Sequence, residues 1–243
     1  ATDRWFRRSL QRVCETMERG GGGFWKTLSE IAAEREDIPR EKRGGRPLIG
    51  VVGEIYVRMN PFANGDLVKA IEALGGEATV PTMAEWINYV RAIRIGRNRE
   101  WGRYGRMLGD VGAGFVQRRD ERNVYAVFGK KPDLEPAELF EYAAPYLHSS
   151  FQGEAILTIG KSVELVAHHG AAGLVNTMPF TCMPGMICAA LLKRVQEDYG
   201  DVPVLNMAYT GQQETNTRAR LEAFVYQARQ FYERRMSSRQ REK

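Results

Sequence analysis

A chain of 243 residues and 27.5 kDa, with 43% hydrophobic and 27% charged residues, can bury a sizeable core, which excludes global disorder. Lys+Arg 35 against Asp+Glu 30 leaves +5, too small an excess to indicate nucleic acid, and 3 cysteines exclude a disulfide framework at this size. No apolar run approaches the roughly 18 residues that span a bilayer, and the opening ATDRWFRRSL has neither an initiator Met nor a signal region, so the expectation is a soluble cytoplasmic protein, a piece of something longer, with neither membrane nor nucleic-acid partners.

In residues 1–34, Trp5, Phe6, Leu10, Val13 and Met17 recur at helical spacing, Gly20 to Gly23 interrupt, and Phe24, Trp25, Leu28 and Ile31 resume the pattern. The charged stretch 37–46, with Pro39 and paired glycines, reads as a linker. PLIGVVGE follows, a short apolar run closed by glycine, the pattern of a parallel strand covered on both faces. Residues 64–74 read as a helix capped by Asn64 and stopped by Gly75-Gly76, and 77–80 as a short strand. A helical stretch over 84–110 is weakened by Gly96, Gly102 and Gly105, and helix continues as the reading for 111–128. Helices follow at 136–147 and 154–168, a strand at 173–176, a helix at 185–199, a strand at 202–207 and a closing helix at 214–235, with SSRQREK expected to fray.

This alternation predicts an α/β fold: an open parallel sheet of about four strands, order 2-1-3-4, with helices on both faces, plus an N-terminal helical segment. The expected domains are residues 1–45, helical segment and linker, and 46–243, a Rossmann-like or flavodoxin-like lobe. The order reverses between the first and third strands, and ligands bind at such switch points, outside the carboxyl ends of the strands. Two loops therefore face one crevice: GEIYVRMNPF (53–62) and NTMPFTCMPG (176–185).

In the second loop Pro179 and Pro184 flank Cys182, and Gly185 opens the next helix. A thiol ahead of a helix N-terminus has its thiolate stabilised by the dipole and by unused N–H groups, as metal ligation and nucleophilic attack both require. The competing reading is a small buried hydrophobe. Cys188, in the apolar run MICAALL, and Cys14, in an amphipathic helix, read as inert. Loop one carries Glu54, Tyr56, Arg58 and Asn60. Glu54 suits a base or ligand partner, and Arg58 a phosphate or carboxylate clamp, or else both hold the loop's shape by hydrogen bonds. In a third loop (206–218), Glu214, Thr215 and Asn216 read as caps, and His168-His169 as a helix C-terminal cap. The arginines at 91, 94, 97, 99, 103 and 106 read as a solvated stripe, with partner docking or CoA-phosphate contact as the other reading. No P-loop, dinucleotide fingerprint, zinc-finger spacing or serine-hydrolase elbow is present, and one CxxxxxC spacing is not a cluster motif.

The segments VGEIYVRMNPFANGDLVKAIEALGGE, GEAILTIGKSVELV, VNTMPFTCMPG and VPVLNMAYTGQQETNTRARLEAFVYQA resemble one family. It is the C-terminal portion of the large CoA-substrate-specific activase-related proteins, itself similar to 2-hydroxyacyl-CoA dehydratase subunits (2-hydroxyglutaryl-CoA dehydratase-like) and to double-cubane-cluster reductases. The resemblance covers roughly 47–230. It implies an electron-transfer lobe that helps hold an iron–sulfur cluster of the 4Fe-4S type, fed by an ATP-hydrolysing activator. It matches Cys182 to a ligand-bearing loop and neither Cys14 nor Cys188 to a ligand, so the other ligands lie outside this chain.

The expected function is therefore the iron–sulfur-supporting lobe of an ATP-dependent acyl-CoA dehydratase or reductase system, inactive by itself. Its expected partners are the activator, an upstream lobe of the same protein and acyl-CoA. Cys182 is the candidate metal ligand, and Glu54, Arg58 and Asn60 are the candidate cofactor contacts. The alternative is a non-catalytic interaction domain that docks the activator or a sister subunit.

Overall fold

A computed structural model describes residues 2–39, 45–210 and 216–241, the side chains of 239–241 excepted. The chain divides into two compact units, one of residues 1–44 with 91–133 and one of 45–90 with 134–243. Residues 91–133 thus group with the N-terminal helices, whereas the sequence reading assigned everything from 46 onward to the α/β lobe.

The first unit is helical. It contains α1 (Thr2–Glu18), α2 (Phe24–Glu36), the second half of α6 (Met83–Glu100) and α7 (Tyr104–Val127). The polar side of α1 packs on α2 through Arg12, which pairs with Glu30 at 2.5 Å and Glu34 at 2.6 Å, and Thr16 meets Thr27 at 3.2 Å. Of the three glycines expected to weaken 84–110, Gly102 breaks the helix. Its φ of +65° separates α6 from α7, and α7 then runs through the whole of 111–127.

The second unit holds β1 (Leu48–Gly53), α3 (Ile55–Met59), α4 (Pro61–Asn64), α5 (Leu67–Ala73), β2 (Glu77–Thr79), the first half of α6, α8 (Pro136–Ala143), α9 (Glu154–Ala167), β3 (Gly173–Pro179), α10 (Met183–Asp198), β4 (Val204–Tyr209) and α11 (Thr217–Arg241). The sheet is all parallel in the order β2-β1-β3-β4, the expected 2-1-3-4. Alternation along β1 divides its neighbours. Ile49 and Val51 join Leu67, Ile71, Leu221, Phe224 and Val225 in one core cluster, beneath α5 and α11. Gly50 faces the other way, and a Cβ there would lie 2.6 Å from Leu165 of α9.

Several local readings change: α8 stops at Ala143 rather than 147, and β3 runs on to Pro179 rather than 176. Helix α5 starts at Leu67 rather than at 64, because Asn64 closes α4; its Oδ1 still accepts from Leu67 N at 3.1 Å. Strand β4 begins two residues later than expected, at Val204. The tail does not fray at 237: α11 continues to Arg241, and Ser238 Oγ donates to Arg234 O at 3.1 Å, a bond Ser makes without leaving the helix. No described helix is long and apolar enough to cross a membrane.

Candidate functional site

Strands β1 and β3 are adjacent and parallel, with Gly53 opposite Thr177, so the two loops leave the sheet side by side. Gly53 makes this junction possible. Its φ is +106°, and a Cβ would fall 2.1 Å from Thr177 O. Glu54 N then donates to Thr177 O at 2.8 Å, and Thr177 Oγ1 donates to Val52 O at 3.0 Å, which laces the loop bases together.

Loop one folds into two short helices, and its polar residues are spent on them. Glu54 is the N-cap of α3: its carboxylate accepts from Tyr56 N at 3.1 Å and Val57 N at 2.8 Å. Asn60 is the N-cap of α4, accepting from Phe62 N at 3.0 Å and Ala63 N at 3.4 Å. Both satisfy helix-end donors; Asn is a favoured N-cap residue, and the longer Glu54 carboxylate serves the same end here. Arg58 points inward and is 4% exposed. It lies 4.0 Å from Glu85 Oε1, while Lys161 Nζ lies 3.2 Å from Glu85 Oε2 and 2.8 Å from Glu164 Oε2. Glu164 Oε1 reaches His169 Nε2 at 3.1 Å, at the rim of the network. Arg58, Glu85, Lys161 and Glu164 are all buried, two cations against two anions on three helices, which fasten α3 to α6 and α9.

Loop two ends in Cys182, the N-cap of α10, half-buried and without a side-chain capping bond. Its carbonyl accepts from Met186 N at 2.9 Å, so the thiol sits directly on the first turn of a 16-residue helix. The preceding Thr181 is held at φ +67°, an unusual conformation for a β-branched residue. Cys188 lies inside the same helix, 2% exposed, its Sγ 3.7 Å from Ala155 O. Burial pushes its thiol up to about 12. The two cysteines therefore have opposite environments, as their neighbours in sequence indicated. Cys14 is exposed on α1.

Glu154, absent from the sequence reading, opens α9 at the edge of the same crevice. Its Oε1 accepts from Ile55 N at 3.3 Å. Burial raises its pKa, partly offset by that hydrogen bond, while the Glu54 charge adds to the rise and Arg58 opposes it. The signal available was Gly-Glu at a helix start, which is a weak one. Asn176, fully buried on β3, donates to Asn206 Oδ1 at 2.9 Å, and its own Oδ1 has no donor among the described residues. Exposed apolar side chains rim the crevice: Tyr56, Phe62, Phe180, Met183 and Met186. A largely apolar groove of ≈ 1390 Å³ adjoins loop one, lined by Phe62, Leu67, Leu74, Met207 and Tyr209 among others.

Of the remaining sequence candidates, His168 is the C-cap of α9, as expected. Glu214 and Thr215 lie outside the described residues; Asn216 O accepts from Arg220 N at 3.1 Å at the start of α11. The arginine stripe is partly engaged: Arg94 pairs with Asp110, and Arg97 and Arg103 sit over Trp101 at 5.8 and 4.6 Å. Among the described residues, no three of His, Cys, Asp and Glu converge as a metal cage requires. Of the two cysteines on this side of the sheet, Cys182 is the one whose thiol is not buried. Comparisons with protein-family models, curated proteins and solved structures find no match.

Proposed function

We propose that this chain is the iron–sulfur-supporting lobe of an ATP-dependent acyl-CoA dehydratase or reductase system, with Cys182 as its one cluster ligand. The observation that carries the reading is the placement of Cys182: half-buried, at the head of α10, behind a strained Thr181, at the switch point of the sheet. A helix N-terminus stabilises a thiolate, and a thiolate is the ligating form. A cluster held there would supply one-electron chemistry. The chain's own part is to orient the thiolate and to hold the facing loop still. On this reading Glu54 and Asn60 shape that loop by capping, and Arg58 anchors it from within. The remaining ligands come from another lobe or subunit seated on the apolar rim, and the ≈ 1390 Å³ groove suits the acyl portion of an acyl-CoA.

The second reading, an interaction lobe that docks an activator or sister subunit without holding a cluster, is favoured by the same rim, where Phe62 is 96% exposed. Anaerobic iron and sulfide analysis separates the two. The chain by itself, supplied with ferrous iron and sulfide, should stay essentially colourless. The native assembly purified anaerobically should carry a cluster that is lost with Cys182→Ser. A cluster content indifferent to that substitution supports the interaction lobe instead.

A further inference from the structure

The corner between α6 and α7 gathers arginine around one tryptophan. Arg97, Arg99, Arg103 and Arg106 follow closely in the chain, interrupted by the single acid Glu100, and all are exposed. Among the described residues, none of the four arginines pairs with a carboxylate, whereas Arg8 and Arg12 of the same unit meet Glu30 and Glu34, and Arg94 meets Asp110. The turn itself is firmly made. Gly102, at φ +65°, closes α6: its N–H donates to Arg99 O at 3.2 Å, and Arg103 N donates to Asn98 O at 2.8 Å, the paired bonds of a Schellman stop. Asn98 is buried and donates to Asp110 Oδ2 at 3.1 Å, which pins the corner to α7. Trp101 is 58% exposed, and the guanidinium carbons of Arg97 and Arg103 stand over its ring, 5.8 and 4.6 Å from the centroid. A guanidinium stacked on a ring keeps its in-plane N–H donors for an anion and has already lost part of its freedom.

We propose that this corner docks an acidic segment of a partner protein, with Arg97 and Arg103 each taking a carboxylate through two N–H donors beside Trp101. Charge complementarity selects the occupant. Residues 91–133 carry 11 Lys and Arg against 5 Asp and Glu, net +6, which exceeds the +5 of the whole chain. Residues 1–44, the rest of the same unit, carry 10 against 8, so the positive charge is concentrated on the α6–α7 segment. Tryptophan and arginine are also the side chains that most often dominate protein–protein contacts.

Two other polyanions fit the corner less well. A nucleic-acid base stacks on an open aromatic ring, and two guanidiniums already stand over that of Trp101. An anionic bilayer responds to the number of charges and takes lysine as readily as arginine. Fixed, planar arginine forks are instead the geometry that reads individual carboxylates. The proposal needs no iron and stands apart from the cluster reading.

Fluorescence anisotropy of a labelled Glu/Asp peptide, titrated with the full chain at low salt, tests this. The wild type should bind with a Kd on the order of 100 µM or tighter, and more weakly as salt rises. Arg97→Ala with Arg103→Ala should weaken binding about tenfold. Arg97→Lys with Arg103→Lys keeps the charge, loses the fork and should weaken it about threefold or more. Arg4→Ala with Arg7→Ala removes the same charge from exposed positions on α1 and should change the Kd by less than about twofold. Far-ultraviolet circular dichroism should be unchanged in all three, since every position is exposed. The proposal is overturned by a wild type that does not bind, by either corner pair binding undiminished, or by equal weakening in the α1 pair. Tighter binding to phosphatidylserine vesicles or to a single-stranded oligonucleotide than to the peptide overturns it as well.

Discussion

Two side chains at the crevice report on it through their protonation. Cys188, its thiol raised to about 12 by burial, stays a thiol at neutral pH while Cys182 and Cys14 stand open to reagent. A disulfide-exchange reagent at pH 8 should therefore modify two thiols in the folded chain and the third only on unfolding. A thiol raised in the folded state favours folding below its unfolded pKa and loses that advantage as pH rises from about 9 toward 12. Glu154 follows the same sign at acid pH. Its folded pKa is raised, so the folded state holds the proton more tightly, and stability falls as pH rises from the ordinary carboxyl value of 4.5 through the folded pKa. Glu154→Gln keeps an acceptor for Ile55 N and removes the charge. Thermal melts across pH 4–8 should show a flatter profile for the variant, with the gain over wild type largest at the neutral end.

The element that fixes loop one is the buried network of Arg58, Glu85, Lys161 and Glu164. Removing Glu85, 1% exposed, leaves Arg58 and Lys161 without a carboxylate they share, and breaking such a buried pair costs roughly 3–5 kcal/mol. Glu85→Ala should lower the thermal midpoint by about 10 °C or more, whereas Glu72→Ala on exposed α5 surface should change it little. Gly53→Ala should be comparably damaging, because the added Cβ meets Thr177 O at 2.1 Å. A near-normal melt would show for Glu85→Ala that the network does not hold loop one, and for Gly53→Ala that the β1–β3 junction tolerates rearrangement. Only part of this could be read in the sequence. PLIGVVGE and GLVN announce buried parallel strands because each is an apolar run too short for a helix. The network announces itself faintly, as Lys161 and Glu164 on a helix whose other inner residues are apolar. Their partner Glu85 lies 76 residues from Lys161, and Arg58, which meets Glu85 in turn, lies 103 residues from Lys161, so only the fold joins them. Helix α7 was legible as helix but not as a separate one: of Gly96, Gly102 and Gly105, read as weakening 84–110, only Gly102, outside α7, takes the left-handed conformation that ends a helix.

At the scale of the molecule, strand order alone put the two loops at one crevice, since right-handed crossovers and alternating elements leave few arrangements. The division into units was less legible. Residues 91–133 join the N-terminal helices, a pairing distant in sequence that no local pattern marks. Within the crevice, the sequence singled out Cys182 over Cys188 by loop against helix, and burial separates the two in the same direction. On the proposed function, Cys182 holds the cluster and Cys188 only packs. Iron per chain, measured in the anaerobically purified native assembly carrying Cys182→Ser or Cys188→Ala, tests it most directly. Cys182→Ser should lose iron with the fold intact, and Cys188→Ala should keep iron at a stability cost of about 1 kcal/mol. Iron retained in Cys182→Ser and lost in Cys188→Ala would make Cys188 the ligand instead.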